Sequence, residues 1–158
     1  MNFFYFKIVL FFQLLFFSST LSQIYTPIDY NFKNIIRSKI NSAERIINGF
    51  IYKFNDDDIF NDLKKAKDRG VELNFICDKT AYDYTSKLTN VTIFDNIHPY
   101  DKLHAKSLLF DNKTLLIGSF NLDKSTFSTN FEIMLQTSEE TYVNDFIEKF
   151  NELKKYLE

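Results

Sequence analysis

A chain of 158 residues, 45% hydrophobic and 25% charged, is sized for one globular domain and too apolar for a disordered one. Its net charge of −2 gives no general electrostatic pull toward nucleic acid, and a single cysteine excludes an internal disulfide. With two histidines, one cysteine and no H-E-x-x-H or C-x-x-C, no metal site or other cofactor suggests itself.

The chain opens on a targeting pattern. Met1–Lys7 is short and carries one positive charge, Ile8–Phe17 is almost unbroken apolar sequence, and Ser18-Ser19-Thr20-Leu21-Ser22 supplies small residues for cleavage. Residues 1–22 therefore read as a secretory signal cut after Ser22, leaving residues 23–158 as the mature domain, secreted or periplasmic. The alternative is an uncleaved membrane anchor over residues 3–17. That stretch is interrupted by Lys7 and Gln13 and is shorter than the ~20 apolar residues a spanning helix needs, so the signal is preferred. Cleavage would take only Lys7 from 19 Lys+Arg against 21 Asp+Glu, making the chain slightly more acidic.

From Gln23 the chain alternates strands and helices. Ile24-Tyr25-Thr26 is a short strand candidate stopped by Pro27. Apolar residues at 32, 35, 36, 40 and 43 predict a helix over Phe32–Ala43. Arg45–Phe54 is rich in strand formers, and Gly49 within it signals a bulge or a close backbone approach. Asn55-Asp56-Asp57-Asp58 reads as the start of a helix rather than a metal site, and Gly70 as its end. Val71–Cys77 is a strand that buries Cys77, Ala81–Leu88 a weak helix, Val91–Phe94 a strand, and Asn96–Lys102 a loop. His98, before Pro99, reads as a surface loop histidine.

The chemistry concentrates between His104 and Glu132. Ala105–Phe110 and Thr114–Ile117 are apolar runs separated by Asp111-Asn112-Lys113, the pattern of a hairpin. His104 and Lys106 lie two apart and would share a face, as would Ser119 and Asn121 if the second strand continues. An imidazole, an ammonium, a hydroxyl and a carboxamide would then meet on one surface, a site for an anionic tetrahedral group. Ile133–Gln136 continues as a strand. Glu139–Leu157 is the last helix, with apolar residues at 142, 143, 146, 147, 150, 153 and 157. Together these elements predict an α/β domain with a mixed, largely parallel sheet flanked by helices.

His104, Lys106, Asp111, Gly118, Ser119 and Asn121 fill every position of a pattern that resembles the HxKx4Dx6GSxN signature of the phospholipase D superfamily, and Asn130-Phe131-Glu132 resembles the N-x-E that follows it. The run from Asn121 to Glu132 is also similar to bacterial cardiolipin synthases, with Lys124 where those usually carry Arg. The resemblance implies a metal-independent phosphodiesterase in which His104 is the nucleophile and forms a phosphohistidine. Lys106 and Asn121 would bind the non-bridging oxygens, with Ser119 adding a hydroxyl, so hydrolysis is expected to survive excess chelator. Glu132 is the candidate acceptor that fixes the His104 tautomer. Asp111 belongs to the catalytic signature, although its place at the turn favours a structural role.

One copy of the motif supplies half of a two-step reaction, so the resemblance implies a homodimer with two His104 facing across a two-fold axis. A phospholipid substrate is expected from the secretory targeting and the acidic charge. The alternatives are an endonuclease acting on DNA or RNA, and a catalytically silent binding or membrane-associated module. Ile97, Pro99, Tyr100, Phe127 and Phe131 in the flanking loops serve acyl chains or bases equally well.

Overall fold

A computed structural model describes residues 22–158 except Asp29, Asn90, Asn96 and His98. The expected signal or anchor lies, Ser22 aside, outside the described residues, as does His98.

The described chain forms one seven-stranded sheet in the order β1-β7-β6-β5-β2-β3-β4. The strands are β1 (Gln23–Tyr25), β2 (Ile46–Ile51), β3 (Glu72–Asp78), β4 (Thr92–Phe94), β5 (Ser107–Phe110), β6 (Thr114–Gly118) and β7 (Met134–Thr137). The helices are α1 (Phe32–Ser42), α2 (Asp57–Asp68), the single turn α3 (Tyr82–Thr85) and α4 (Glu140–Leu157).

The α/β class holds, but the sheet is less parallel than expected. Only β2–β3 and β3–β4 pair parallel, while β1–β7, β7–β6, β6–β5 and β5–β2 are antiparallel. Connection length accounts for part of this. Helix-bearing crossovers return the chain parallel after β2 and β3, whereas the three-residue link between β5 and β6 permits only a hairpin.

Helix α1 is capped by the Asn31 side chain, which accepts from the Asn34 N–H. At α2 the cap is Asp56 rather than the whole acidic run, its carboxylate accepting from the N–H groups of Asp58 and Ile59. Gly70, at φ 94°, ends that segment as expected. The weak helix expected over 81–88 shrinks to a 3-10 turn at Lys79–Ala81 followed by α3. There the Thr85 hydroxyl donates to the Ala81 carbonyl at 2.9 Å, and a β-branched residue favours no further turns.

Both sheet faces are covered, and that explains the runs of consecutive apolar residues. Ile36, Ile40, Ile59 and Leu63 of α1 and α2 pack on Ile47, Leu73, Phe75, Leu108 and Leu116. On the opposite face Val143, Phe146 and Phe150 of α4 pack on Ile76, Leu109 and Leu115. Leu108 and Leu109 thus point to opposite cores and are both buried, each contributing about 1.5–3 kcal/mol. Tyr142, expected on the apolar face of α4, is exposed. Cys77 is buried, 3.3 Å from the Thr85 hydroxyl. At Gly49 there is no bulge, since its register with β3 and β5 is unbroken. The close approach is real, because a Cβ there would lie 2.8 Å from a Leu108 methyl.

Candidate active site

The β5–β6 register sets the site. Ser107 faces Ile117, and one step further the Gly118 N–H donates to the Lys106 carbonyl at 3.3 Å. The two halves of the motif therefore meet at the open end of the hairpin. Beyond it the Ser119 N–H donates to the Ile133 carbonyl at 3.0 Å, which draws Glu132 alongside. Only glycine fits at 118, because an added Cβ would stand 2.1 Å from the Ile133 carbonyl oxygen. His104 and Lys106 precede β5, and Ser119 and Asn121 follow β6, so β5 starts later than its apolar run implies and β6 stops short of Ser119.

His104 is exposed and Lys106 is buried. The Lys106 ammonium donates to the His104 carbonyl at 2.7 Å. Partial desolvation and the positive charges of Lys106, Lys102 and Lys53 hold the His104 imidazole below its ordinary pKa, against Asp78. Desolvation likewise lowers Lys106, opposed by the Glu132 carboxylate and aided by Lys53. A neutral imidazole beside an ammonium is the protonation pair that phosphoryl attack requires.

Lys106 and Asn121 line one cavity of about 10 Å³ together with Tyr52 and Lys53. The Asn121 side-chain oxygen is buried there without a hydrogen-bond partner, while its backbone N–H donates to the Thr126 hydroxyl at 3.1 Å. The carboxamide is held by its backbone and left free at its tip. The segment after β2 carries this half of the site as well, since the Leu122 N–H donates to the Lys53 carbonyl at 3.0 Å.

Glu132 departs from expectation. Its carboxylate accepts from the Ser119 hydroxyl and, at 3.0 Å, from the Asn130 side-chain amide. The His104 imidazole makes no hydrogen bond among the described residues, so Glu132 does not fix its tautomer in the single chain. Ser119 is also engaged by the Ile133 N–H at 3.1 Å. Glu132, Ser119 and Asn130 thus brace one another through hydrogen bonds.

Asp111 lies at the far end of the hairpin and is not gathered with the others. Its carboxylate accepts from the N–H groups of Arg45 at 2.8 Å, Ile46 at 3.1 Å and Glu44 at 3.1 Å. Against the upward push of partial burial, those donors lower its pKa. Asp111 and Asn112 take left-handed φ values of 53° and 56°, which Asp and Asn tolerate in tight turns. Lys124 pairs with Asp57 at 2.9 Å on the surface.

Tyr52, Lys53 and Asp78, outside the motif, also reach His104 and its approach. The Tyr52 ring centroid is 4.5 Å from that of His104, and the Lys106 ammonium is 4.8 Å from the Tyr52 centroid. Buried Asp78 accepts at 3.1 Å from the N–H of Leu103, the residue before His104. No local pattern marks these positions; they lie at the ends of other strands.

A groove of about 480 Å³ starts at His104 and Lys106 and runs between the sheet and α4, lined by Leu115, Ile117, Leu135, Tyr142 and Phe146. Its lining is mostly apolar, with Thr137, Asp145 and Lys149 as polar residues away from the site.

Comparison with known proteins gives a consistent picture. The family model described as cardiolipin synthase, PLD-like domain, matches residues 36–154. A cardiolipin synthase of Geobacillus thermodenitrificans is 31% identical over 132 residues, 75% of this chain and 26% of that protein. Cardiolipin synthase 2 of Bacillus cereus is 32% identical over 91 residues, 52% of this chain and 18% of that protein. The chain thus spans about a quarter or less of the length of these relatives. Among solved structures, the phospholipase D family member Nuc of Salmonella typhimurium superposes with a TM-score of 0.74 at 23% identity, covering 85% of this chain and 93% of that one. NucT of Helicobacter pylori gives 0.73 at 21% identity, covering 85% and 95%.

Proposed function

We propose, for a chain that belongs to the phospholipase D-like family of cardiolipin synthase domains, cleavage of a phospholipid phosphodiester with His104 as nucleophile. The observation that carries the lipid reading is the apolar groove that begins at His104, a shape suited to an acyl chain whose phosphate rests on Lys106.

In this reading a His104 nitrogen attacks phosphorus, the bond to the departing alcohol oxygen breaks, and that oxygen takes a proton from a general acid. Lys106 neutralises a non-bridging oxygen and the Asn121 carboxamide orients the group. Water, or an alcohol in a transfer reaction, then displaces phosphorus from the imidazole and gives up its proton to the same acid/base. The family likeness makes both outcomes chemically open to the site.

The second acid/base is assigned to another copy of the chain. Among the described residues the charged groups around His104 are Lys106, Lys102, Lys53 and Asp78, and both carboxylate oxygens of Asp78 accept backbone N–H groups. The exposed apolar side chains Phe131 and Ile133, which lie outside the groove lining, give a second copy a surface to cover.

A nucleic-acid reading has one observation of its own. Lys53, Lys102 and Lys106 concentrate positive charge at His104 on a chain whose net charge is −2.

The test offers the purified full chain cardiolipin, phosphatidylcholine and single-stranded DNA in parallel. Phospholipid turnover that is lost in His104→Ala is the expected result. Faster cleavage of DNA than of either lipid reverses the substrate, and no turnover of any of them sinks the catalytic reading. Mixed dimers of wild-type and His104→Ala chains should fall far below half the wild-type rate; half activity, or a fully active monomer, refutes the shared site.

A further inference from the structure

We propose that Tyr52 is a positioning residue for this reaction, its ring holding the His104 imidazole and the Lys106 ammonium in one relative orientation. The role rests on the phosphodiesterase reading, and it concerns a residue outside the motif.

The geometry is specific. The Tyr52 and His104 rings are tilted by 58° with centroids 4.5 Å apart, and the Lys106 ammonium is 4.8 Å from the Tyr52 centroid. Lys53 contributes a second cationic contact, 5.5 Å from that centroid. An aromatic face attracts cations through its quadrupole, so one ring steadies two ammonium groups that repel each other.

His104 needs such a support. It is exposed, and its imidazole has no hydrogen bond among the described residues, so ring contact is what limits its rotation. Lys106 is tied to the His104 carbonyl rather than to a carboxylate, so its direction also depends on the face beneath it.

Tyr52 is itself fixed from behind. Its carbonyl accepts from the Thr80 hydroxyl, and the Thr80 N–H donates to Asp78 at 3.0 Å. The other Asp78 oxygen holds the Leu103 N–H at 3.1 Å. The ends of β2 and β3 and the approach to His104 are thereby joined through one buried carboxylate. The groups facing His104 from these segments are Lys53, Asp78, Lys102 and Lys106.

The test compares wild type, Tyr52→Phe and Tyr52→Leu in the full chain. The His104 ring protons are followed by NMR, with the His98 signal identified by His98→Ala, alongside kcat/KM and thermal melting. A ring contact predicts an upfield His104 resonance and a cross-peak to the Tyr52 ring in wild type, kept in the Phe variant and lost in the Leu variant. Activity should stay within a few-fold for Phe and fall about 10- to 100-fold for Leu, the scale of a misplaced catalytic group. An absent cross-peak in wild type overturns the role even if the Leu variant does not fold. So does an unimpaired Leu variant, or a Phe variant as weak as the Leu one, which would assign the effect to the hydroxyl. A wild type that shows the contact but cleaves no phosphodiester overturns the function and the role together, whereas an active wild type with an unimpaired Leu variant removes the role alone.

Discussion

The β5–β6 hairpin carries motif residues at both ends, and the two ends treat them in opposite ways. At the turn, every oxygen of the Asp111 side chain is engaged by backbone N–H groups of the segment entering β2. At the open end, the His104 imidazole has no hydrogen bond among the described residues and the Asn121 side-chain oxygen is buried without one. Saturated polar groups stabilise the fold, because leaving them unpaired would cost about 1–3 kcal/mol each. Groups left unsaturated are available to a substrate. The same motif is therefore divided between holding the hairpin and acting through it.

The sharpest break would come from His104→Ala. The side chain is exposed, so melting should be unchanged while kcat falls about 10²–10⁴-fold or more, both chemical roles being lost. A large drop in melting temperature would put His104 on the structural side instead.

Asn121→Ala should come next, with a loss of about 10²–10³-fold in kcat, the cost of one preorganised polar group. Because its side-chain oxygen has no partner to strand, stability should change little in urea unfolding. Marked destabilisation with normal turnover would contradict the comparison.

Asp111→Ala should do the reverse. Losing the acceptor of these N–H groups is expected to cost about 2 kcal/mol in denaturant unfolding, with the rate per folded molecule retained. The pH dependence follows from its lowered pKa. The stabilisation is present above the unfolded value of about 3.9 and is lost as pH falls through the lower folded value. Acid titration of wild type against Asp111→Ala should show the two stability curves converging below about pH 4.

The smallest effects are in the pH profile. His104 must be neutral to attack and its pKa is lowered, so the acidic limb of kcat/KM should fall below the ordinary imidazole value of about 6.5. Glu132 supports the charged form of Lys106. Glu132→Gln should therefore move the basic limb to lower pH, with a few-fold loss near neutrality. A basic limb that stays in place would show that Glu132 serves only its bonds to Ser119 and Asn130.

The sequence by itself determined the strand and helix order, the hairpin and the family, because these rest on local signals. Apolar runs, turn residues such as Asp111-Asn112 and a motif of fixed spacing need no partner to be read. It also marks Gly49 as a place of bulge or close approach, though not what presses on it. Tertiary structure decided the rest. The parallel share of the sheet depended on where β5 enters beside β2, a choice that spacing does not encode. Glu132 was expected at His104 from motif order, but the β6–β7 register turns it to Ser119 and Asn130. Tyr52 and Asp78 are not legible in the sequence because they reach the site from the ends of separate strands, and a contact between residues distant in the chain leaves no periodicity in either segment.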